Sequence, residues 1–235
     1  MTQYALPNKI LSSSPKVWVA FVLLLLTTLG SIGSRAQDIN AITSNTDLFP
    51  AMGPFMARNV VIEFADFQCP YCAMSAGLAP WIDEYADRYG PLIGSGKYIQ
   101  ELAEQNKIRF IYAPLSFLDK GDNKESTWAT QAAFCAQDQD KFWEMHDAIF
   151  TATDSAKENT GKYSKENLKN LAANIEGIDT SGFNTCLDSD ATLDKTQQVM
   201  KTFVGAGFKV STPQFWVNGK KVEPLTESLK QALGM

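Results

Sequence analysis

Cys69 and Cys72 are separated by Pro70 and Tyr71, the spacing at which two thiols can close a disulfide across one helical turn. The chemistry open to such a pair is thiol–disulfide exchange, in which one thiolate attacks a sulfur and the second thiol resolves the mixed disulfide. Attack requires the ionised sulfur. Free cysteine titrates near about 8.5, and motifs of this spacing bring that down to between roughly 3.5 and 7. If Cys69 begins a helix, the unpaired N–H groups and the dipole of that helix favour negative charge on its sulfur. Pro70 suits the first helical turn, where a missing N–H costs nothing. The competing use of such a pair is half of a zinc site. Zinc needs a second cysteine or histidine pair at short spacing, and the sequence holds none, so no metal is expected.

The flanking sequence supplies the elements that would position this pair. Asn59-Val60-Val61-Ile62-Glu63 is an apolar, β-branched strand signal running into the motif. After it, Ala76, Leu78, Ala79, Ile82, Tyr85 and Ala86 recur at helical spacing and predict a helix over 73–89. Glu63 falls within the apolar strand, where an unpaired carboxylate is costly. It is therefore either satisfied by a structural partner or shifted in pKa for use. Gly90 to Gly96 is a breaker cluster, Lys97 to Gln105 is helical in pattern, and Lys107 to Tyr112 alternates as a second strand ended by Ala113-Pro114-Leu115. Strand, helix and strand in this order allow a parallel pairing.

From Lys124 to Ala206 the pattern is almost wholly helical. Trp128, Ala132 and Cys135 share a face; Phe142, Met145, Ile149 and Phe150 mark the buried side of the next helix; and Ser164 caps the segment 165–173. Helices over 183–187 and 191–206 complete the set. His146, the only histidine, lies among apolar positions and reads as a packed residue. Strand patterning returns at Thr212-Pro213-Gln214-Phe215-Trp216-Val217. Asn218-Gly219 is a hairpin turn signal, Lys220-Lys221-Val222 pairs back, and Pro224 opens a last helix, 225–233. A proline at the start of a strand implies a cis bond or an edge position.

The chain has 235 residues, 45% of them hydrophobic, enough for one large domain or a domain with an insertion. A net charge of −5 with no long basic run argues against nucleic acid as a partner. The compartment is read from the N-terminus. Lys9 and Lys16 precede the apolar run from Val17 to Leu29, and Ser34-Arg35-Ala36 offers a cleavage site before Gln37. Residues 1–36 are thus a signal peptide or a membrane anchor, and either places the rest outside the cytoplasm, in a periplasm or cell envelope. Residues 37–58 read as a linker docked on the domain, with room for a short edge strand. The domain proper occupies 59–235, with a helical insertion at about 120–207.

A strand carrying Glu63, a Cys-x-x-Cys, a helical insertion, then Thr212-Pro213 before an aromatic strand and Val217-Asn218-Gly219 resembles the DsbA-like branch of the thioredoxin fold. The resemblance implies an α/β thioredoxin fold with an inserted all-helical subdomain. It implies that Cys69 is the attacking sulfur and Cys72 the resolving thiol, with Pro213 a cis proline facing them and Glu63 a proton acceptor for Cys72. Thr212 and Gln214 would offer backbone groups to an extended substrate. Relatives of this kind carry a second cysteine pair in the insertion, which implies a structural Cys135–Cys186 disulfide. Tyr71 departs from the strongest oxidants of the family, which have histidine there, so a milder oxidant is expected.

The function so implied is oxidation of cysteines in exported, unfolded or reduced proteins, without a cofactor. Reoxidation would fall to a membrane quinone enzyme of the DsbB or vitamin-K-epoxide-reductase type. A monomer is expected, since no dimerisation domain is recognisable. Two alternatives stay open: a reductase or isomerase on the same fold, and a noncatalytic binding module stapled by its Cys-x-x-Cys. The aromatics Phe67, Tyr71, Phe215 and Trp216 flank the motif and the proline as candidates for an apolar rim.

Overall fold

The computed structural model describes residues 37–235; the apolar run read as a leader or anchor lies outside the described residues. Five strands form one mixed sheet in the order β1-β3-β2-β4-β5. They are β1 Ala51–Met52, β2 Val60–Asp66, β3 Arg109–Leu115, β4 Gln214–Val217 and β5 Lys220–Val222. β2 is central, parallel to β3 and antiparallel to β4, and flanked on both sides it is buried along nearly its whole length. That accounts for its unbroken apolar run. β1, inside the segment expected to be a linker, pairs antiparallel with β3 at the edge. The turn between β4 and β5 has positive φ at both Asn218 and Gly219, as their types foretold.

Among the described residues the α-helices are ten: α1 Asn40–Thr43, α2 Pro70–Ala76, α3 Ala86–Tyr89, α4 Ser95–Glu104, α5 Glu125–Gln137, α6 Phe142–Ala152, α7 Lys165–Ala172, α8 Thr180–Asp188, α9 Leu193–Gly205 and α10 Thr226–Leu233. The five from α5 to α9 are the insertion between β3 and β4. Ser164 caps α7 by accepting from the backbone N–H of Asn167. The sulfurs of Cys135 on α5 and Cys186 on α8 are bonded at 1.98 Å. Apolar side chains pack on both faces of the sheet: Val61, Ala65 and Phe215 belong to one core, and Ile62, Phe64 and Ile111 to the other.

Three expectations need correction. The helix expected over 73–89 stops at Ala76, because Gly77 takes φ +68° and caps it in the left-handed conformation, with Pro80 just beyond. A separate 3-10 turn, Ile82–Tyr85, and α3 carry the rest of the apolar pattern. β3 does not end at Tyr112 but runs through Pro114 to Leu115. β1 covers only Phe110 and Ile111, so at Pro114 the strand has a single neighbour and a missing N–H is tolerated. α5 has no single inward face: nearly every residue from Ala129 to Ala136 is buried, while Trp128 is only half-buried.

Candidate active site

β2 ends at Asp66, and the next three residues turn the chain into α2 with Cys69 at the N-cap and Pro70 at the first helical position. Cys69 is extended (φ −70°, ψ 119°), and its backbone N–H bonds to the carbonyl of Asp66 at 2.9 Å. Both cysteines are thiols, Cys69 5% exposed and Cys72 1%. The Cys69 pKa is held below the ordinary range chiefly by a hydrogen bond from the Cys72 thiol. Burial opposes this, while Thr212 and the backbone N–H groups of Cys72 and Tyr71 assist it. Cys72 is pushed the opposite way, well up, by burial first and then by Cys69 and Glu63. The environment thus pushes the pKa values of two chemically identical thiols apart, Cys69 down and Cys72 up.

The Thr212–Pro213 peptide is cis and brings the chain before β4 against the motif, with Cys69 Sγ 3.7 Å from the carbonyl oxygen of Thr212. Tyr71, 43% exposed, leans edge-on against Tyr89 with ring centroids 5.5 Å apart. Of the four aromatics expected to form a rim, Tyr71 alone lies exposed beside the cysteines. Phe67 and Phe215 are fully buried, Phe67 packing on Tyr112, His146 and Phe150, and Trp216 is covered by Phe208 in the opposite core. His146 is enclosed by aromatic rings and pairs with Asp147 at 2.8 Å.

Glu63 faces Tyr112 across β3 and Phe215 across β4. Burial raises its pKa to about 8, moderated by a hydrogen bond from Ser75. Ser75 Oγ in turn accepts from the backbone N–H of Gly96 and meets Ser95 Oγ, each at 3.1 Å. Gly96 is required by close approach: a Cβ there would stand 2.8 Å from Ser75 Oγ and 3.1 Å from Glu63 Oε2.

Two residues escaped the sequence reading. Asp66 is fully buried and accepts from the Ser126 hydroxyl (2.7 Å) and from the backbone N–H groups of Gln68 (2.9 Å), Phe117 (2.9 Å) and Leu118 (3.2 Å). Gln68 donates to Ser126 at 3.0 Å and accepts from the backbone N–H of Asn159 at 2.7 Å. The available signal was a second acid at the end of an otherwise apolar strand, three residues from the motif.

The model of the family described as Thioredoxin matches residues 94–233, more than half of the chain. The "Probable disulfide bond formation protein D" of Bacillus anthracis is 24% identical over 230 residues, 96% of this chain and 95% of that one. A "Na(+)/H(+) antiporter NhaA" of Herminiimonas arsenicoxydans is 26% identical over 170 residues, 72% of this chain but only 22% of that longer protein. Two solved structures share the fold. Oxidised BdbD of Bacillus subtilis has a TM-score of 0.61 at 18% identity over 80% of this chain and 92% of that one. MdbA of Actinomyces oris, a thiol-disulfide oxidoreductase, has a TM-score of 0.61 at 20% identity over 81% and 86%. The strand order, the cis proline opposite Cys69 and the family match from 94 to 233 agree with one another: the chain belongs to the thioredoxin family, with a DsbA-type helical insertion in its fold.

Proposed function

We propose that the protein is a thiol:disulfide oxidoreductase that oxidises cysteines of exported proteins. In its disulfide form, Cys69–Cys72 is attacked at Cys69 by a substrate thiolate, and the electron pair of the broken S–S bond leaves on Cys72. Glu63 supplies the proton that Cys72 then takes. The substrate's second thiolate displaces Cys69, which departs as a thiolate, so the substrate gains a disulfide and the protein gains two electrons; of the two protons the substrate thiols shed, one restores Glu63 and the other goes to solvent. Cys69 leaves readily because its thiolate is favoured, and a good leaving thiolate drives the second step.

The observation that carries this reading is the placement of Cys69 at the N-cap of α2 with its sulfur 3.7 Å from the carbonyl oxygen of Thr212, and the opposed shifts of the two thiols, Cys69 down and Cys72 up, accord with it. Thr212 and Gln214, on either side of Pro213, offer the substrate a strand edge to lie against. The reading places residues 1–36 as the exporting or anchoring segment, residues 37–58 as the segment docked on the domain, and the rest as a monomeric domain outside the cytoplasm. It also calls for reoxidation by a membrane quinone-linked enzyme. The protein D relative, named for disulfide bond formation and matched over nearly its whole length, supports the direction.

A redox equilibrium with glutathione, paired with oxidation of a reduced two-cysteine protein, tests this. Oxidation of that protein together with a potential well above thioredoxin's (about −270 mV) is expected. A potential near that value would instead favour the reductase reading, for which Tyr71 in place of histidine is the motivating residue.

A further inference from the structure

A fully buried carboxylate with no cation within ion-pair range among the described residues is an expensive feature to retain, and Asp66 is one. Its four partners all donate, which matches the acceptor capacity of a carboxylate and of no neutral side chain of that size. They come from three separate pieces of chain: the turn into α2, the segment after β3, and the first turn of α5 in the insertion. Its Oδ1 closes the turn by accepting from the N–H two residues on, and its own carbonyl accepts from Cys69. Gln68 then reaches Ser126 and Asn159. Beside Ser126, the buried Glu125 accepts from the backbone N–H groups of Gly161 and Tyr163, fixing the loop that carries Asn159. Asn159 Nδ2 returns to the carbonyl of Leu118 at 3.1 Å and closes the ring of contacts.

Resting on the exchange reading above, we propose that Asp66 is a positioning residue. It holds the Asp66–Cys69 turn so that the Cys69 sulfur meets the N–H groups at the start of α2, and it ties that turn to the helical insertion through Ser126. The insertion is then part of what sets the reactivity of Cys69, because the contacts that orient the cysteine are anchored in α5 and in the 159–163 loop. The pKa of Asp66, raised by burial to about 6 against four opposing hydrogen bonds, agrees with a carboxyl held where it is costly.

The test compares Asp66→Asn and Ser126→Ala with the parent chain, measuring the rate of Cys69 alkylation against pH, the equilibrium with glutathione, and thermal stability. Asp66→Asn removes a negative charge, which alone would favour the thiolate and speed alkylation at pH 7. Ser126→Ala keeps the charge and only loosens the turn. The proposal expects both to slow alkylation at pH 7, by about threefold, as the thiolate fraction falls. Acceleration by Asp66→Asn with no change in Ser126→Ala would reduce Asp66 to a charge effect and overturn it. So would a loss of stability in Ser126→Ala without any change in alkylation, which also decides the matter if Asp66→Asn does not fold. A parent chain that fails to exchange with glutathione would sink the functional reading itself, a different outcome from parent-like alkylation in the variants.

Discussion

Ser75, on the second turn of α2, donates its hydroxyl to Glu63 on β2 at 3.1 Å, and among the described residues no other side chain bonds to that carboxyl. One hydrogen bond does not offset complete burial, so the Glu63 pKa stands at about 8 rather than at the ordinary carboxyl value of 4.5. Between these two values the folded protein holds a proton that the unfolded chain releases. Raising the pH through that window therefore favours unfolding. The urea midpoint is expected to fall from pH 5 to pH 8, and Glu63→Gln should remove most of that fall, a difference on the order of a few kcal/mol at pH 8. Parallel pH profiles for the two proteins would show that Glu63 ionises normally.

Gly96 tests the same corner by volume. A methyl at this position meets Ser75 Oγ and Glu63 Oε2 closer than ordinary contact allows. Gly96→Ala should cost about 1–3 kcal/mol of stability by overpacking. It should also slow exchange, since Glu63 is displaced from its place behind Cys72. Unchanged unfolding would mean the site relaxes freely.

Tyr71 contacts Tyr89 at the surface and carries no positive charge to offer Cys69. Tyr71→His introduces an imidazole that can charge beside the sulfur and stabilise the thiolate, and hence the reduced form. The glutathione equilibrium should move toward a stronger oxidant by about 30 mV or more, corresponding to roughly tenfold in equilibrium constant. A shift of the opposite sign would contradict the electrostatic account of the motif.

Cys135 and Cys186 close a loop with a sequence separation of 51 inside the insertion, remote in the chain from the reactive pair. Replacing both by alanine should lower stability by about 2–4 kcal/mol. Urea unfolding checks this, and oxidation of a reduced protein should persist at temperatures where the variant stays folded. An unaltered urea midpoint would show that the bridge contributes nothing to the fold.

Much of this arrangement was legible in the residues. The strand–cysteine–helix order follows from local patterns: an apolar run, a proline at the first helical position, and the Asn218-Gly219 turn. What could not be read was set by distant chain. Phe67 and Phe215 look like surface candidates beside the motif, yet the insertion covers one and the sheet the other, because α6 brings His146 and Phe150 onto Phe67. The helix beyond Ala76 kept its apolar period in sequence, but a left-handed Gly77 broke it in space. Asp66 drew no notice because its partners Ser126 and Phe117 lie 60 and 51 residues away, and only the fold assembles them.

The central claim is that the environment divides two like thiols into a nucleophile and a resolving partner. Alkylation of the reduced chain across pH, with each modified cysteine located by peptide mass, measures this directly. The account predicts that Cys69 reacts first, half-maximally at a pH below that of free cysteine, about 8.5, while Cys72 stays unmodified. Cys72 reacting first, or Cys69 titrating at or above the free-cysteine value, would contradict it.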